Sequence, residues 1–286
     1  MTSFLSYLVS GVAVGCGFAL IASGLVMVHC VTRVVNLAQG TYAVLGGLST
    51  ATLLERGAPH GVAELGAVAV AAIAGALTGR VATGRRGLAP QSSLILTFAL
   101  AILAYAVEVI VWGDQPRSFP GLAGAIDLAG VRVQKQYLLV VAATALIFAS
   151  LHAFLEKTYL GKELRACASN AYAARVVGID VERMGLLAFA LGGALGGAAG
   201  VLLGPLRPLS FDSDVALVVD GFAAAILGGM TRPLLALAGG LVLGIAEAMV
   251  AGYANGSYQT EVALLLMLAI LVGQGVRRTA LHTETS

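Results

Sequence analysis

Three acidic side chains lie within long apolar stretches of this chain, where an ionisable group is costly unless it faces a cavity or a polar neighbour. They are Glu108, Asp220 and Glu247. Glu247, within LGIAEAMVAG, is the deepest, and no Lys or Arg stands near the middle of any apolar run. We therefore expect Glu247 to be hydrogen-bonded or protonated, either as a structural bridge or as part of a solute path. Glu108 and Asp220 stand closer to the ends of their runs, where they can meet water.

A second polar group interrupts the first apolar block at VTRVVNLAQG, residues 31–40. Asn36 and Gln39 supply amides there, and Gly40 permits close approach of the backbone. Broken helix ends can hold a polar solute through dipoles and hydrogen bonds, although hydrogen bonding between helices would use the same residues. Together with Asp220, Gly221 and Glu247, they form our candidate solute pathway.

No enzyme motif is present in the sequence. The only Gly-Lys pair, Gly161-Lys162, has Glu156 where a phosphate-binding loop needs its first glycine. The four His are far apart, and the three Cys show no C-x-x-C spacing. We predict a protein that is not an enzyme and that binds no cofactor or metal.

The composition indicates a polytopic membrane protein. Hydrophobic residues make up 58% of the 286 residues and charged residues 11%, against about 25% charged in soluble domains. At about 20 residues per span, we predict an all-α protein of eight to ten transmembrane segments, with residues 1–286 as one transmembrane domain. The net charge of +2 is small and its basic residues are scattered, so nucleic acid is not an expected partner. The first apolar run has no preceding Lys or Arg, which argues against a cleaved signal peptide.

Two of the apolar runs are too short for a comfortable span, and they resemble each other. QGTYAVLGGL (39–48) and DGFAAAILGGM (220–230) match with one residue inserted, and the predicted topology runs them in opposite directions. This pattern indicates discontinuous helices in an inverted repeat, with the solute site near the bilayer midplane. The alternative is a compositional likeness between Ala/Gly-rich helices. The nine predicted runs are about 5–29, 36–54, 62–79, 91–112, 137–155, 185–203, 215–230, 234–253 and 261–276.

The longest polar segment, residues 156–184, carries five basic residues between two apolar runs and is predicted to be a cytoplasmic loop. Ser169, then NAYAARVV, then Gly178 indicate an N-cap, an eight-residue helix and a C′ glycine. Such a helix would be a docking element, unless a solvated loop has simply acquired a helical turn.

This placement fixes an orientation with the N-terminus outside and the C-terminus inside. It leaves Arg56, Arg117, Arg132, Lys135 and Arg207 outside, a minority of the 17 basic residues. In addition to the five basic residues of the 156–184 segment, the basic residues predicted to be cytoplasmic are Arg33, Arg80, Arg85, Arg86, Arg232, Arg277 and Arg278.

Glycines recur at four-residue steps at Gly192, Gly196, Gly200 and Gly204, with Gly193 and Gly197 beside them. Such small-residue faces let helices approach closely in lipid. They predict a packing surface for another helix, in the same chain by preference or in a second subunit.

Three separated stretches of the sequence resemble one family. They are GFALIASGLVMVHCVTRVVNLAQGTYAVLGG (17–47), LGKELRACASNAYAARVVGIDVERM (160–184), and AAAILGGM with GGLVLGIAEA (223–230 and 239–248). In this order they are similar to the LivH-type permease subunits of branched-chain amino-acid ABC importers. Two departures leave the solute open: Gly228-Gly229-Met230-Thr231-Arg232-Pro233 stands where the family tends to have Gly-Gly-hydrophobic-Gly-Ser, and an acid stands at Asp220.

The resemblance implies a multi-pass subunit of the bacterial inner membrane. Its implied partners are a second permease, of the LivM type in a heterodimer, two cytoplasmic ATP-binding subunits, a periplasmic substrate-binding protein and membrane lipid. It also implies that the 156–184 loop holds the coupling helix, which transmits ATPase closure to the spans as a rigid body. The expected coupling residues are Gly161, Arg165, Ala166, Ser169, Asn170, Ala173, Ala174 and Gly178.

Two rival functions differ in the solute or in the driving force. A related ABC importer would carry urea, amides or sugars. A secondary transporter would move protons through Glu247, and it would have no need for a docking helix at residues 156–184.

Overall fold

The computed structural model describes residues 2–83, 90–128 and 131–253, together with the single positions 261, 264, 265 and 268. The ninth predicted run, 261–276, lies almost wholly outside the described residues, as do Arg85, Arg86, Arg277 and Arg278.

The described chain is helical, as predicted, with one small hairpin. Its elements are α1 (Thr2–Thr32), α2 (Gln39–Glu55), α3 (Val62–Thr83), α4 (Pro90–Trp112), β1 (Ala125–Leu128), β2 (Val131–Gln134), α5 (Lys135–Lys157), α6 (Tyr159–Ser169), α7 (Ala171–Val176), α8 (Val181–Leu203), α9 (Ser213–Leu227), a 3₁₀ turn (Pro233–Leu235) and α10 (Ala236–Tyr253).

Among the described residues, 6 helices are long and apolar enough to cross a membrane: α1, α3, α4, α5, α8 and α10. The chain is thus a multi-pass membrane protein. The two runs predicted to be short are indeed the short helices α2, of 17 residues, and α9, of 15. Each follows a long helix after an irregular segment that turns the chain back into the bundle.

Helices α1 and α8 form the centre of the bundle and run antiparallel. Gly17 of α1 packs on Leu203 at the end of α8, and Thr32 at the end of α1 lies beside Gly185 near the start of α8. The interior of α1 is almost entirely buried from Ala13 onward.

The packing partners of the helices repeat in two halves. In one half, α3 packs along α8, and the short helix α2 packs on both of them. In the other half, α10 packs along α1, and the short helix α9 packs on both of them. The two short helices also touch each other. The sets α1–α2–α3 and α8–α9–α10 therefore form an inverted repeat of discontinuous helices, as predicted.

The glycine surface of α8 packs within the chain, which confirms the preferred interpretation. A Cβ placed at Gly193 would lie 2.3 Å from the carbonyl oxygen of Ala71 in α3, and one at Gly200 would lie 1.7 Å from that of Ala43 in α2. These contacts leave no room for a side chain, so α8 needs glycine at these two positions to approach α3 and α2.

The bundle has two ends, which we name by the elements that cover them. The docking face carries α6 and α7, and the hairpin face carries β1 and β2, which pair antiparallel with Ala125 opposite Gln134. The sequence did not predict this hairpin, because its four-residue strands lie in the polar gap between two apolar runs. Near it, Arg117 and Leu209 exchange two backbone hydrogen bonds of 2.8 Å.

Candidate solute pathway and docking surface

The two short helices begin beside each other inside the bundle. A Cβ at Gly40, in the first turn of α2, would lie 2.0 Å from the carbonyl oxygen of Asp214 in the first turn of α9. The Thr41 hydroxyl donates to Asp214 Oδ2 at 3.3 Å. Two helix N-termini, each with a partial positive charge, thus meet within the protein. The first N–H of α9, from Ser213, already donates to the Ser210 carbonyl at 3.0 Å.

Asn36 and Gln39 secure the break before α2. Both are fully buried. The Asn36 amide donates to Gln39 Oε1 at 3.3 Å and to the Tyr42 hydroxyl at 3.4 Å, and Gln39 Nε2 donates to the carbonyl of Gly192 at 2.8 Å. Their polar atoms therefore bridge the start of α2 to α8, about two helical turns from the end of α1.

Asp220, Gly221 and Glu247 lie together where α9 and α10 meet α1. A Cβ at Gly221 would lie 2.4 Å from Ile21 Cγ2, so α9 rests directly on α1. The Asp220 and Glu247 carboxylates are both buried and within electrostatic range of each other. Glu247 Oε1 has no hydrogen-bond partner among the described residues.

Arg207 reaches these two acids from the segment between α8 and α9. It lies within electrostatic range of both carboxylates, and its guanidinium stands 5.6 Å from the centre of the Phe18 ring on α1. This basic group near Glu247 is not expected from the sequence, in which Arg207 falls in a predicted outer loop. The prolines at 205 and 208 that flank Arg207 were the available signal for an irregular segment folded back into the bundle.

A second pair of buried acids lies at the start of α9. Glu108 on α4 is fully buried, although its place near the end of a run had suggested contact with water. It lies within electrostatic range of Asp214. Both Glu108 oxygens and Asp214 Oδ1 lack a hydrogen-bond partner among the described residues. Asp214 was overlooked as a candidate because it stands in the polar entry FDSD and outside the apolar run.

The polar segment between α5 and α8, which we call the docking segment, consists of the two helices α6 and α7. The N-cap of α7 lies one residue after the predicted one. Ser169 is the last residue of α6 and does not cap α7. Asn170 is the cap: its Oδ1 accepts from the backbone N–H groups of Tyr172 and Ala173, both at 3.0 Å. An extended Asn170, at φ −152°, breaks the helix there, so α7 has six residues and not eight.

The predicted end of α7 at Gly178 is confirmed. Gly178 has a left-handed φ of +90°. Its N–H donates to the Arg175 carbonyl at 3.1 Å, and the N–H of Ile179 donates to the Ala174 carbonyl at 3.0 Å. This pair of bonds is the Schellman motif, which requires a residue without a Cβ penalty at C′.

The docking segment is held firmly to the spans. Gly161 makes the corner between α5 and α6, since a Cβ there would lie 2.2 Å from the Phe154 carbonyl oxygen. Leu164, Cys167 and Ala174 are buried beneath the segment, and burial raises the pKa of the Cys167 thiol above its ordinary value. From the end of α1, Arg33 Nη2 donates to the Ala168 carbonyl at 3.0 Å.

The remaining expected coupling residues lie on the outer side of this segment. Arg165, Ser169, Asn170, Ala173 and Gly178 are exposed, and Ala166 is half-buried. Arg165 forms an ion pair with Glu156. Beside them is an apolar patch on α7, consisting of Tyr172, Val176 and Val177, which are 77%, 71% and 75% exposed. We call these three residues the α7 patch.

Residues 7–273 match the family model described as the permease component of the branched-chain amino acid transport system. The chain belongs to this permease family. The permease is 28% identical over 290 residues to the high-affinity branched-chain amino acid permease LivH of Escherichia coli K12, covering 94% of this chain and 93% of that one. It is also 28% identical over 276 residues to a probable branched-chain amino acid permease of Methanocaldococcus jannaschii, covering 88% and 85%.

Two further proteins are more distantly similar to the permease. It is 27% identical over 271 residues to the ribose import permease RbsC of Escherichia coli K12, covering 89% of this chain and 81% of that one. Its fold is similar to that of PsaBC from Streptococcus pneumoniae, solved in complex with a Fab, with a TM-score of 0.53, 12% identity and coverage of 94% and 91%. Proteins of this family are transport permease components, which are not enzymes.

Proposed function

We propose that this chain is the membrane-spanning subunit of an inner-membrane ABC importer for branched-chain or related amino acids, and that it has no catalytic activity of its own. The family match over residues 7–273 is the observation that carries the proposal. The chain acts as one transmembrane domain over residues 1–286. It works with a second permease of the LivM type, two cytoplasmic ATP-binding subunits and a periplasmic substrate-binding protein.

In this proposal the docking face is cytoplasmic, and the α7 patch inserts into the ATP-binding subunit. Three large apolar side chains exposed at the tip of a polar segment are typical of a protein contact, and an aromatic anchor tends to dominate such contacts. Movement of the ATPase pair would reach the spans through the fixed α5–α6 corner at Gly161 and the Arg33–Ala168 hydrogen bond. Gly161, Arg165, Ala166, Ser169, Asn170, Ala173, Ala174 and Gly178 form or support this surface.

The solute path is proposed to run beside the meeting point of α2 and α9. Asn36, Gln39 and Gly40 fix the start of α2, and Asp220, Gly221 and Glu247 fix the contact of α9 with α1 and α10. The meeting N-termini supply partial positive charge suited to a carboxylate, and the nearby acids suit an ammonium group. A zwitterionic amino acid carries both groups, which supports an amino-acid solute.

A sugar importer is the second candidate, and the ribose permease relative is what favours it. A proton-driven carrier would not use the α7 patch. Uptake by proteoliposomes that contain the whole complex separates the three candidates. We expect ATP-dependent uptake of leucine in the presence of its binding protein. Uptake of ribose alone would support the sugar importer, and uptake driven by a proton gradient without ATP would support the carrier.

The Tyr172→Ala variant tests the coupling assignment. We expect it to weaken binding of the ATP-binding subunits about thirtyfold, the loss typical of an interface anchor, as measured by their co-purification and by titration in detergent. Ile126→Ala on the hairpin face is the matched control and should bind like the wild type. Unchanged binding by the Tyr172→Ala variant would contradict docking through α7.

A further inference from the structure

A cavity of about 720 Å³ opens on the docking face, apart from the α7 patch. It lies between the end of α1, the end of α5, α6 and the connection from α9 to α10. Its lining combines apolar side chains, among them Met27, Val31, Leu155 and Leu234, with several basic ones.

The charge of the lining is positive. Arg33, Arg165 and Arg232 contribute three guanidinium groups, and among the described lining residues Glu156 is the sole acid. Its carboxylate pairs with Arg165. Arg33 donates to a backbone carbonyl, and within the described chain neither it nor Arg232 has an ion pair. Two of the three arginines are therefore not balanced by an acidic side chain of the described residues, and both can pair with an anionic ligand.

The backbone on both sides of the cavity is held in an uncommon conformation. Arg33 and Met230 are the non-glycine residues with positive φ in the described chain, at 60° and 51°, and both line this cavity. Left-handed non-glycine residues persist where the surroundings impose them, often at ligand clamps. The Cys30 thiol donates to the Thr231 carbonyl at 3.4 Å, which ties the α9–α10 connection to the end of α1.

Exposed apolar side chains on the two flanking helices distinguish a lipid from a soluble anion. Helix α5 presents Val141, which is 37% exposed, about three turns before His152 and on the same face of the helix as the cavity lining. The 3₁₀ turn before α10 ends with Leu235, which is 47% exposed, and α10 itself presents Val242, which is 53% exposed. Acyl chains would cover these surfaces while a headgroup lies among the arginines.

We propose that this cavity binds the phosphate headgroup of an anionic phospholipid, with its acyl chains against α5 and α10. Basic pockets where helices meet the membrane surface suit such headgroups. Because Arg33 and Arg165 come from α1 and α6, the bound lipid braces the docking segment against the central span. This site does not depend on which solute is transported.

The test measures binding of phosphatidylglycerol to the purified full-length chain in detergent by native mass spectrometry, with phosphatidylcholine as the neutral lipid. We expect Arg232→Gln to weaken phosphatidylglycerol binding about fivefold, the effect of one basic group at a lipid surface, and Arg232→Lys to retain most of it. Glu156→Gln releases Arg165 and should strengthen binding. Arg132→Gln removes an arginine on the hairpin face and should change nothing.

Several results would overturn the proposal. One is equal binding of phosphatidylglycerol and phosphatidylcholine, and another is unchanged binding by the Arg232→Gln variant. Displacement of the lipid by millimolar inorganic phosphate would show a site for a soluble anion. Loss of lipid binding when the ATP-binding subunits assemble on the chain would show that a protein covers the cavity.

Discussion

Gly200 lies so close to α2 that no side chain fits between the two helices. At Gly200, as at Gly40 and Gly193, the space for a Cβ is blocked by a carbonyl oxygen of a neighbouring helix. These oxygens belong to the backbone and cannot rotate away. Gly200 and its neighbour Gly193 were recognisable from the four-residue spacing of the α8 glycines, and Gly40 from its place at the break in the first apolar block. Their partner helices were not, because spacing shows that a face is small without showing what packs on it.

We expect Gly200→Ala to destabilise the bundle by about 1–3 kcal/mol, the cost of overpacking a core, because α2 and α8 must separate. The measurement is thermal unfolding of the purified chain in detergent. Gly185→Ala on the same helix is the control, since its nearest neighbour is the Thr32 methyl group at 3.3 Å. Equal unfolding temperatures for the two variants would show that α8 has more freedom than this packing allows.

For the buried acidic residues, the sequence predicts that partners are needed but not which residues they are. Hydropathy identified Glu108, Asp220 and Glu247 as groups that need neighbours. It could not pair Asp220 and Glu247 with Arg207, or Glu108 with Asp214, because these pairs join different helices or irregular segments. Contacts of this kind depend on tertiary packing, which a local pattern does not encode.

At the scale of elements, α7 shows how one residue decides where a helix begins. Ser169 and Asn170 are both good N-caps, so composition alone could not choose between them. The structure uses Asn170 because α6 continues through Ser169, which leaves the serine within a helix. The C-terminal signal at Gly178 was less ambiguous, since glycine stands alone there as a residue suited to left-handed backbone.

We expect Asn170→Ala to destabilise α7 by about 1 kcal/mol, because two backbone N–H groups lose their acceptor. Hydrogen exchange of a peptide covering residues 170–178 measures this, and faster exchange is expected in the variant. Asn170→Asp should preserve the cap. If Ser169→Ala accelerated exchange as much as Asn170→Ala, the cap assignment would be wrong.

At the scale of the whole molecule, the sequence indicated the helical fold, the two short helices and their opposed directions. The lengths of the apolar runs and their glycine content carry that information, because a span must match the thickness of the bilayer and small residues let helices pack closely in lipid. The packing of the two halves against each other did not follow, because α1 meets α10, and α3 meets α8, across long separations in the sequence.

The proposed orientation predicts opposite accessibility at the two faces. A cysteine introduced at Tyr172 should react with a membrane-impermeant maleimide only from the cytoplasmic side, and one at Ile126 only from the periplasmic side. Spheroplasts and inverted vesicles supply the two measurements. The native Cys167 should react slowly, because it is buried and its thiol pKa is raised. Labelling of Tyr172→Cys in intact spheroplasts would contradict the orientation.

The exchange of partners between halves also constrains how the chain matures. Helix α1 is the first described element to leave the ribosome, yet its long neighbours α8 and α10 are made more than a hundred residues later. Until then the small-residue surfaces of α1 that receive α10 and α8, at Gly11, Gly15 and Gly17, have only lipid or the translocation machinery to meet. Assembly of the bundle must therefore follow synthesis of nearly the whole chain, and a ribosome that stops before α10 leaves spans with no stable arrangement of their own.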